Sequence, residues 1–308
     1  MRAKKKRGLF MKFAFVCDIH ADSSRVKSRI DDSREATMDK LEQIRAICTA
    51  RGVTDVFLEG DVFNRPNVTV ECISQMGAEF MKFRQSGIAV HSIVGNHDIY
   101  RNDLATLPNT ALGLLGQFGA IDLMEKAFES DDCIVVPCHY TQVPEEAPVA
   151  GKTAVLMAHA FYDQSELFAN DFANNIPKET MEKLGYDYAF LGHDHEEHPV
   201  TKCGKTTVVR SGSLLRLTRN SYNFARKPKF IILDETGIHE ETLACAPFDS
   251  IVARKEETGH DGVMADLASR LAVRNSETED VIMKAIMGDS ALDADCRAMI
   301  LSYVSEAK

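Results

Sequence analysis

Five short polar segments of the chain each follow a run of apolar residues. The segments are Cys17-Asp18-Ile19-His20, Gly60-Asp61-Val62-Phe63, Gly95-Asn96-His97-Asp98, His159 and Gly192-His193-Asp194-His195. Each apolar run predicts a buried strand, and open α/β sheets bind ligands beyond the carboxyl ends of their strands. We therefore expect the carboxylates, imidazoles and amide of these segments to meet at one edge of the fold.

Each segment alone also has an ordinary structural explanation. An Asp after a strand is typical of turns and helix caps, and Gly-Asp or Gly-Asn pairs are turn signals. The complete set fits one chemistry better. Two divalent cations about 3.5–4 Å apart need a carboxylate between two groups of oxygen and nitrogen ligands, and such pairs hydrolyse phosphate esters. Oxygen and imidazole donors without thiolates favour Mn²⁺, Fe or Zn²⁺ over Ca²⁺ and over structural zinc.

The order of the segments, D-x-H, GD, GNHD, H and GHxH, resembles the calcineurin-like metallophosphoesterase superfamily over residues 13–195. The resemblance implies an α/β (α+β) fold, a four-layer αββα sandwich of two mixed sheets. It implies two divalent metal ions, Mn²⁺ first and Fe or Zn²⁺ as alternatives. The ligands that it implies are Asp18, His20 and His195 for one ion, Asn96, His159 and His193 for the other, and Asp61 as the bridge.

Other residues of the segments receive different roles from the resemblance. His97 is similar to the family's histidine that binds no metal and instead stabilises the phosphoryl oxygens or protonates the leaving group. Asp98 is expected either to orient His97 through a hydrogen bond or to cap a helix. Asp194, between two ligands, is expected to lie outside the ligand set.

Finer details resemble the SbcD-type DNA repair exonucleases, including short phage and bacterial forms. They are the D-x-H-x-D pattern of Asp18, His20 and Asp22, the Gly-Asp-hydrophobic-Phe segment, GNHD, and residues 210–214, where Ser211 replaces the usual Pro. The resemblance implies a DNA exonuclease that hydrolyses phosphodiesters with a hydroxide bridging the two metals. The alternative is a small-molecule phosphodiesterase or a phosphoprotein phosphatase, although the GDxVDRG and GNHE segments of protein phosphatases are absent.

The charge of the chain is unevenly distributed. The formal net charge is −10, yet residues 202–229 carry eight basic residues and no acidic ones. A basic stripe matters more than the total for contacts with a phosphate backbone. We therefore expect Arg210, Arg216 and Arg219 to bind substrate phosphates, with an ordinary solvated surface as the alternative.

The pattern of apolar residues predicts one catalytic domain over 1–247. Residues 1–11 are expected to be a flexible basic extension, and Met11 is an alternative start. Residues 248–308 predict three short helices. Through the family resemblance, this tail would dock an SbcC-type coiled-coil ATPase, and a packing appendage is the alternative. The sequence is compatible with a homodimer.

Cysteine usage and hydropathy indicate the compartment. The eight cysteines form no C-x-x-C pair, which is typical of a reduced intracellular protein. No apolar run approaches the roughly 18 residues of a membrane span, and the N-terminus lacks a small-residue cleavage site. We therefore expect a cytoplasmic protein without a membrane partner.

Overall fold

The computed structural model describes residues 12–148, 151–163, 174–220 and 222–252. The chain separates into two units, Met1–Ala253 and Arg254–Lys308, and all described residues belong to the first. The predicted extension 1–11 lies outside the described residues, as does most of the predicted helical tail 248–308.

Fourteen strands are present in the described part of the chain. In chain order they are β1 (Phe13–Val16), β2 (Asp55–Leu58), β3 (Ala89–Ser92), β4 (Asp122–Leu123), β5 (Phe128–Glu129), β6 (Cys133–Cys138), β7 (Thr153–His159), β8 (Phe161–Asp163), β9 (Asn175–Pro177), β10 (Tyr188–Gly192), β11 (His198–Cys203), β12 (Thr206–Arg210), β13 (Lys229–Asp234) and β14 (Gly237–Thr242). One sheet has the order β14-β13-β1-β2-β3-β4, and the other has the order β11-β12-β10-β7-β6-β5. Strands β8 and β9 form a separate parallel pair.

Both large sheets have a parallel centre and antiparallel strands toward the edges. In the first sheet β1 to β4 are parallel and β13 and β14 are antiparallel to their neighbours. In the second sheet β6, β7, β10 and β12 are parallel, and β5 and β11 are antiparallel. The prediction of two mixed sheets is confirmed.

Six α-helices flank the sheets within the described ranges. They are α1 (Ser33–Arg51), α2 (Val70–Gln85), α3 (Ala111–Gln117), α4 (Lys178–Leu184), α5 (Tyr222–Ala225) and α6 (Phe248–Ile251), and Asn96–Asp98 and Leu104–Asn109 are 3₁₀ helices. The apolar spacing predicts α1 from residue 36, but it begins at Ser33 because the Asp32 side chain caps it through Arg34 N. None of these helices is long and apolar enough to cross a membrane.

Three apolar layers hold the sandwich together. In β1, Phe13 and Phe15 face the second sheet, while Ala14 and Val16 face the helices, as the period of two in a strand requires. The Phe15 ring stacks on that of Phe190, with 3.7 Å between the ring centroids. Helices α1, α2 and α3 cover the outer face of the first sheet, and α4 covers that of the second. The four-layer αββα architecture is therefore as predicted.

Candidate metal centre

Residues from both sheets meet at one end of the sandwich. Asp61 follows β2 in the first sheet, whereas His159 ends β7 in the second. Ligand atoms of Asp18, His20, Asp61 and His195 lie within 4.8 Å of one another, and those of Asp61, His159 and His193 form a second group on the same criterion. Six of the predicted ligands are therefore brought together, and Asp61 belongs to both groups.

The first group contains two imidazoles that face each other. Nε2 of His20 lies 2.7 Å from Nε2 of His195 and 3.6 Å from Oδ2 of Asp61. Nδ1 of His20 is buried and has no hydrogen-bond partner among the described residues. Converging nitrogen lone pairs beside a carboxylate suit a divalent cation of the kind that accepts imidazole and oxygen ligands. These residues therefore fit a metal ion.

The second group presents a histidine in the tautomer that binds metal. Nδ1 of His159 lies 2.8 Å from the carbonyl oxygen of Glu59 and donates its proton to it. Nε2 of His159 faces Oδ2 of Asp61 at 3.3 Å and Oδ1 of Asn96 at 3.1 Å. The hydrogen bond from Nδ1 to Glu59 is of the kind that normally orients a histidine ligand through its other ring nitrogen. The contact of Nε2 with Asn96 places this seventh predicted ligand at the border of the group.

Charge within the centre is concentrated on Asp61. Burial would raise the pKa of Asp61, but the imidazoles of His159, His20 and His97 together outweigh it and hold the pKa well below its usual range. Burial would lower the pKa of His159, but Asp61, Asp18 and the hydrogen bond to the Glu59 carbonyl together outweigh it and raise the pKa to about 9. The pKa of His193 falls to about 3, through burial and then through His159. A metal ion would compete with the proton on His159 for the same nitrogen.

Unusual backbone conformations are concentrated at the predicted ligands. The φ angles of Asp18, His20, Asp61 and His193 are 36°, 51°, 48° and 90°. A non-glycine residue in this left-handed region costs about 1–3 kcal/mol and persists where the surroundings enforce it. Here the enforced turn directs each side chain into the centre at the point where its strand ends.

Two glycines of the motifs are needed because the chain segments lie close together. A Cβ atom on Gly95 would lie 2.1 Å from Oδ1 of Asp61, and one on Gly192 would lie 2.3 Å from the carbonyl oxygen of Glu59. No real Cβ tolerates such distances from a fixed neighbour. These glycines therefore allow the third and fifth segments to approach the second.

His97 lies beside the first group of ligands. Its backbone N–H donates to Oδ1 of Asp61 at 2.8 Å, and its ring centroid lies 4.8 Å from that of His20. Nδ1 of His97 lies 2.8 Å from the carbonyl oxygen of Asn64. Nε2 is therefore the nitrogen left to face a substrate.

Asp98 contacts the backbone instead of the His97 ring. Its carboxylate is fully buried and accepts hydrogen bonds from the N–H groups of Gly95, at 3.0 Å, and Phe63, at 3.1 Å. Burial, followed by the charge of Asp61, raises the pKa of Asp98 to about 7. This geometry matches the expected role of Asp98 as a helix cap. The other expected role, a hydrogen bond to the His97 ring, belongs to the Asn64 carbonyl instead.

Two further acidic residues of the motifs lie outside both ligand groups. Asp22 forms an ion pair with Arg65, with 2.7 Å between Oδ2 and Nη2, and accepts from Nδ2 of Asn64 at 2.8 Å. Asp194 lies 2.8 Å from Nε2 of His198. Asp22 thus fixes the loop that supplies the carbonyl for His97, and Asp194 stays outside the ligand set as expected.

The predicted basic stripe is not a continuous surface. Arg210 is only 8% exposed and lies over the Tyr162 ring, and Arg216 is 4% exposed and donates to the Ala246 carbonyl. This burial does not fit the prediction that they bind flanking phosphates, because their guanidinium groups are already enclosed and paired. Arg219 alone of the three is exposed.

Other basic residues of the stripe are also engaged within the protein. Arg226 is buried, and Lys229 forms ion pairs of 2.7 Å with Glu197 and with Glu240. The basic side chains of the stripe that remain exposed are Lys202, Lys205, Arg219 and Lys227. The charge count of the sequence therefore overestimates the basic surface.

Several residues near the centre are not singled out by their sequence pattern. The rings of Tyr140 and Phe161 lie 5.5 Å and 4.2 Å from that of His193. Glu59 is buried, and neither of its carboxylate oxygens has a hydrogen-bond partner within the described ranges. Cys17 donates to Oδ2 of Asp18 at 2.7 Å. The apolar run 134–137 predicts a strand, and Tyr140 follows it, so the rule that places functional residues at strand ends finds this residue.

Comparison with known proteins gives a family match over most of this region. The family model described as calcineurin-like phosphoesterase matches residues 11–197, more than half of the chain. No curated protein matches the chain. The solved structure of TT1561 of Thermus thermophilus is similar at 8% identity and a TM-score of 0.49, covering 76% of this chain and 99% of that one. A dimetal phosphatase from Danio rerio is similar at 11% identity and a TM-score of 0.48, covering 77% and 100%.

Proposed function

Because the chain belongs to the calcineurin-like phosphoesterase family, we propose that it is a two-metal-dependent phosphodiesterase that degrades DNA as an exonuclease of the SbcD type. The observation that carries the proposal is Asp61, whose carboxylate belongs to both groups of ligand atoms. A pair of divalent cations requires such a shared carboxylate. Mn²⁺ suits the mixture of carboxylate, amide and imidazole donors, with Fe or Zn²⁺ as alternatives.

The residues of the centre divide into two ligand sets around Asp61. Asp18, His20 and His195 would hold one ion, and Asn96, His159 and His193 would hold the other. When bound, two such ions neutralise the charge of a phosphodiester and lower the pKa of a nucleophilic water. Burial of the ligands excludes bulk water and strengthens every electrostatic contact with the substrate.

His97 supplies the remaining chemistry. Since its Nδ1 donates to the Asn64 carbonyl, its Nε2 is directed away from that loop. In the imidazolium form, Nε2–H can donate to a phosphoryl oxygen and stabilise the charge that develops there. The same proton can pass to the leaving oxygen as the ester bond breaks.

Two features support a nucleic-acid substrate. The second segment continues from Asp61 as Val-Phe-Asn-Arg-Pro, so the D-R-G of the phosphoprotein phosphatases is absent. An exposed arginine, Arg101, follows the 3₁₀ helix Asn96–Asp98. An exposed guanidinium group beside a motif segment can contact a phosphate of a nucleic-acid backbone.

The test is degradation of end-labelled DNA by the metal-free protein after addition of Mn²⁺. We expect linear single- or double-stranded DNA to shorten from its ends, closed circular DNA to resist, and EDTA to stop the reaction. Metal-loaded protein that leaves all DNA intact would contradict the nuclease proposal. Turnover of bis-p-nitrophenyl phosphate or a phosphopeptide in that same preparation would favour the small-molecule phosphodiesterase or the phosphatase.

An SbcC-type coiled-coil ATPase is proposed as the partner, with residues 248–308 as its docking element. Co-purification of such an ATPase with the full chain, and its loss when residues 253–308 are deleted, would support the proposal. The deletion leaves all described residues in place, so DNA degradation by the deleted protein separates the partner from the catalytic function. Homodimer formation can be measured in the same samples by light scattering.

A further inference from the structure

We propose that Arg226 is a positioning residue for the metal centre, because it holds the segment 212–215 against the loops that carry Asp18 and His195. Arg226 is 6% exposed, and none of its hydrogen bonds in the described part of the chain goes to a predicted ligand. The inference rests on the two-metal centre of the proposed function. It concerns one of the two ions, the one that Asp18, His20 and His195 would bind.

The segment 212–215 connects two ligand loops that are distant in the sequence. The N–H of Leu214 donates to the carbonyl oxygen of Asp18 at 2.9 Å, and the N–H of Ser213 donates to that of His195 at 3.2 Å. Gly212 has a φ of 73°, and a Cβ atom there would lie 2.8 Å from the His195 carbonyl oxygen. The segment thus packs directly on the backbone of both loops.

Arg226 binds other atoms of the same segment. Its Nη1 donates to the Ser213 carbonyl at 2.7 Å, and its Nη2 donates to the Leu215 carbonyl at 2.9 Å and to Oγ of Ser213 at 3.3 Å. Its Nε donates to Oδ1 of Asn223 at 3.1 Å. The guanidinium group therefore fixes the carbonyls of Ser213 and Leu215. The N–H groups of Ser213 and Leu214, in the same segment, bind the two ligand loops.

The acceptors explain why this position needs an arginine. All four are neutral oxygens, and they belong to three different residues, Ser213, Leu215 and Asn223. A guanidinium offers five N–H donors in a rigid fork, whereas the single nitrogen of lysine cannot reach the Ser213 and Leu215 carbonyls together with Asn223. Burial lowers the pKa of Arg226, and the charge of Glu197 opposes this shift.

The position of Asp18 depends on this arrangement. Asp18 has a left-handed φ of 36°, a conformation that the surroundings must enforce. Leu214 supplies one of the enforcing hydrogen bonds. If the segment relaxes, we expect the Asp18 and His195 side chains to lose their common orientation, while His159 and Asn96, which contact neither Arg226 nor the segment in the described hydrogen bonds, keep theirs.

The test is calorimetric titration of Mn²⁺ into the metal-free full-length chain. We expect the wild type to bind two ions and Arg226→Lys to bind one of them about tenfold more weakly, as changes behind a metal ligand typically do. The matched control is Arg216→Lys, which alters an equally buried arginine that donates to the Ala246 carbonyl instead. The control should leave both affinities unchanged.

Two backgrounds identify the affected ion. The loss caused by Arg226→Lys should persist in His193→Ala, which weakens the other set of ligands, and should vanish in His195→Ala. Unchanged affinities in Arg226→Lys, or an equal loss at both ions in Arg226→Lys and Arg216→Lys, would overturn the proposal. If Arg226→Lys does not fold, Asn223→Ala removes the acceptor of Nε and is judged by the same criteria. A wild type that binds no Mn²⁺ would refute the metal centre itself.

Discussion

Nε2 of His159 lies 3.3 Å from Oδ2 of Asp61, and this contact joins the ends of the two sheets. Asp61 follows β2 of the first sheet, and His159 is the last residue of β7 in the second. The candidate centre therefore lies between the two halves of the sandwich, so ions bound there would hold the sheets together as well as act on a substrate.

Replacing Asp61 by Asn should remove both ions. The amide keeps the shape of the carboxylate but not its charge, and the two groups of ligand atoms share this residue alone. We expect fewer than one Mn²⁺ per chain by elemental analysis and a fall in kcat of more than about 10²-fold. Asp55→Asn, at the start of the strand β2 that precedes Asp61, should retain both ions. Full metal content in Asp61→Asn would contradict the bridging role.

Metal binding should stabilise the fold. A ligand that binds only the folded state at 100 times its Kd contributes about 2.7 kcal/mol for each site. We therefore expect Mn²⁺ to raise the Tm of chelator-treated protein in a concentration-dependent way, and EDTA to reverse the rise. A calorimetric scan with and without Mn²⁺ measures it, and identical scans would refute binding between the sheets.

His97→Ala should separate catalysis from metal binding. His97 is in neither ligand group, so we expect two Mn²⁺ per chain and a fall in kcat of about 10²–10⁴-fold. The matched control is His239→Ala, on β14, which should leave both quantities unchanged. A His97→Ala protein that loses metal would instead indicate that the residue is a ligand or supports one.

Asp22→Ala should reduce activity through His97. The Asp22 carboxylate holds the side chains of Asn64 and Arg65, and Asn64 supplies the carbonyl that orients the His97 ring. We expect kcat to fall about tenfold with two ions still bound. Asp31→Ala, which breaks the Arg29–Asp31 ion pair of a neighbouring loop, is the control. Equal effects of the two changes would show that Asp22 acts only through general stability.

Glu59 should make the metal-free protein less stable as the pH rises. Burial, followed by the charge of Asp18, raises the pKa of Glu59 from 4.5 to about 8. Between these values the folded state retains a proton that the unfolded state has lost, so the free energy of unfolding falls by up to about 1.4 kcal/mol per pH unit. The loss is complete above pH 8.

Glu59→Gln removes this titration, because an amide does not ionise. The free energy of unfolding of the variant minus that of the wild type should therefore be larger at pH 8 than at pH 5. Urea denaturation of both proteins in EDTA across this range measures the difference. The other ionisable neighbours, Asp18, Cys17 and His159, are common to both proteins. Parallel pH profiles would mean that Glu59 does not hold a proton in the folded state.

Local patterns in the chain were enough to define the frame of the centre. The apolar runs that precede Asp18, Asp61 and His159 predict strands. The carboxyl ends of parallel strands meet at one edge of a sheet. A glycine that follows a helical pattern predicts the end of a helix, and α1 does end at Arg51, with Gly52 in the left-handed conformation at a φ of 70°. These features depend on short stretches of chain, which is why the amino-acid order predicts them.

Long-range contacts select which polar groups meet. Arg210, Arg216 and Arg226 have the composition of a basic surface, but the fold surrounds them with carbonyls and rings and leaves them buried. The carbonyl of Asn64 binds the His97 ring, a role for which Asp98 was one expectation. Every residue has a backbone carbonyl that could accept this hydrogen bond, and only the folded chain determines which one does. Exposure and hydrogen-bond partners depend on segments far apart in the sequence, so no local pattern contains them.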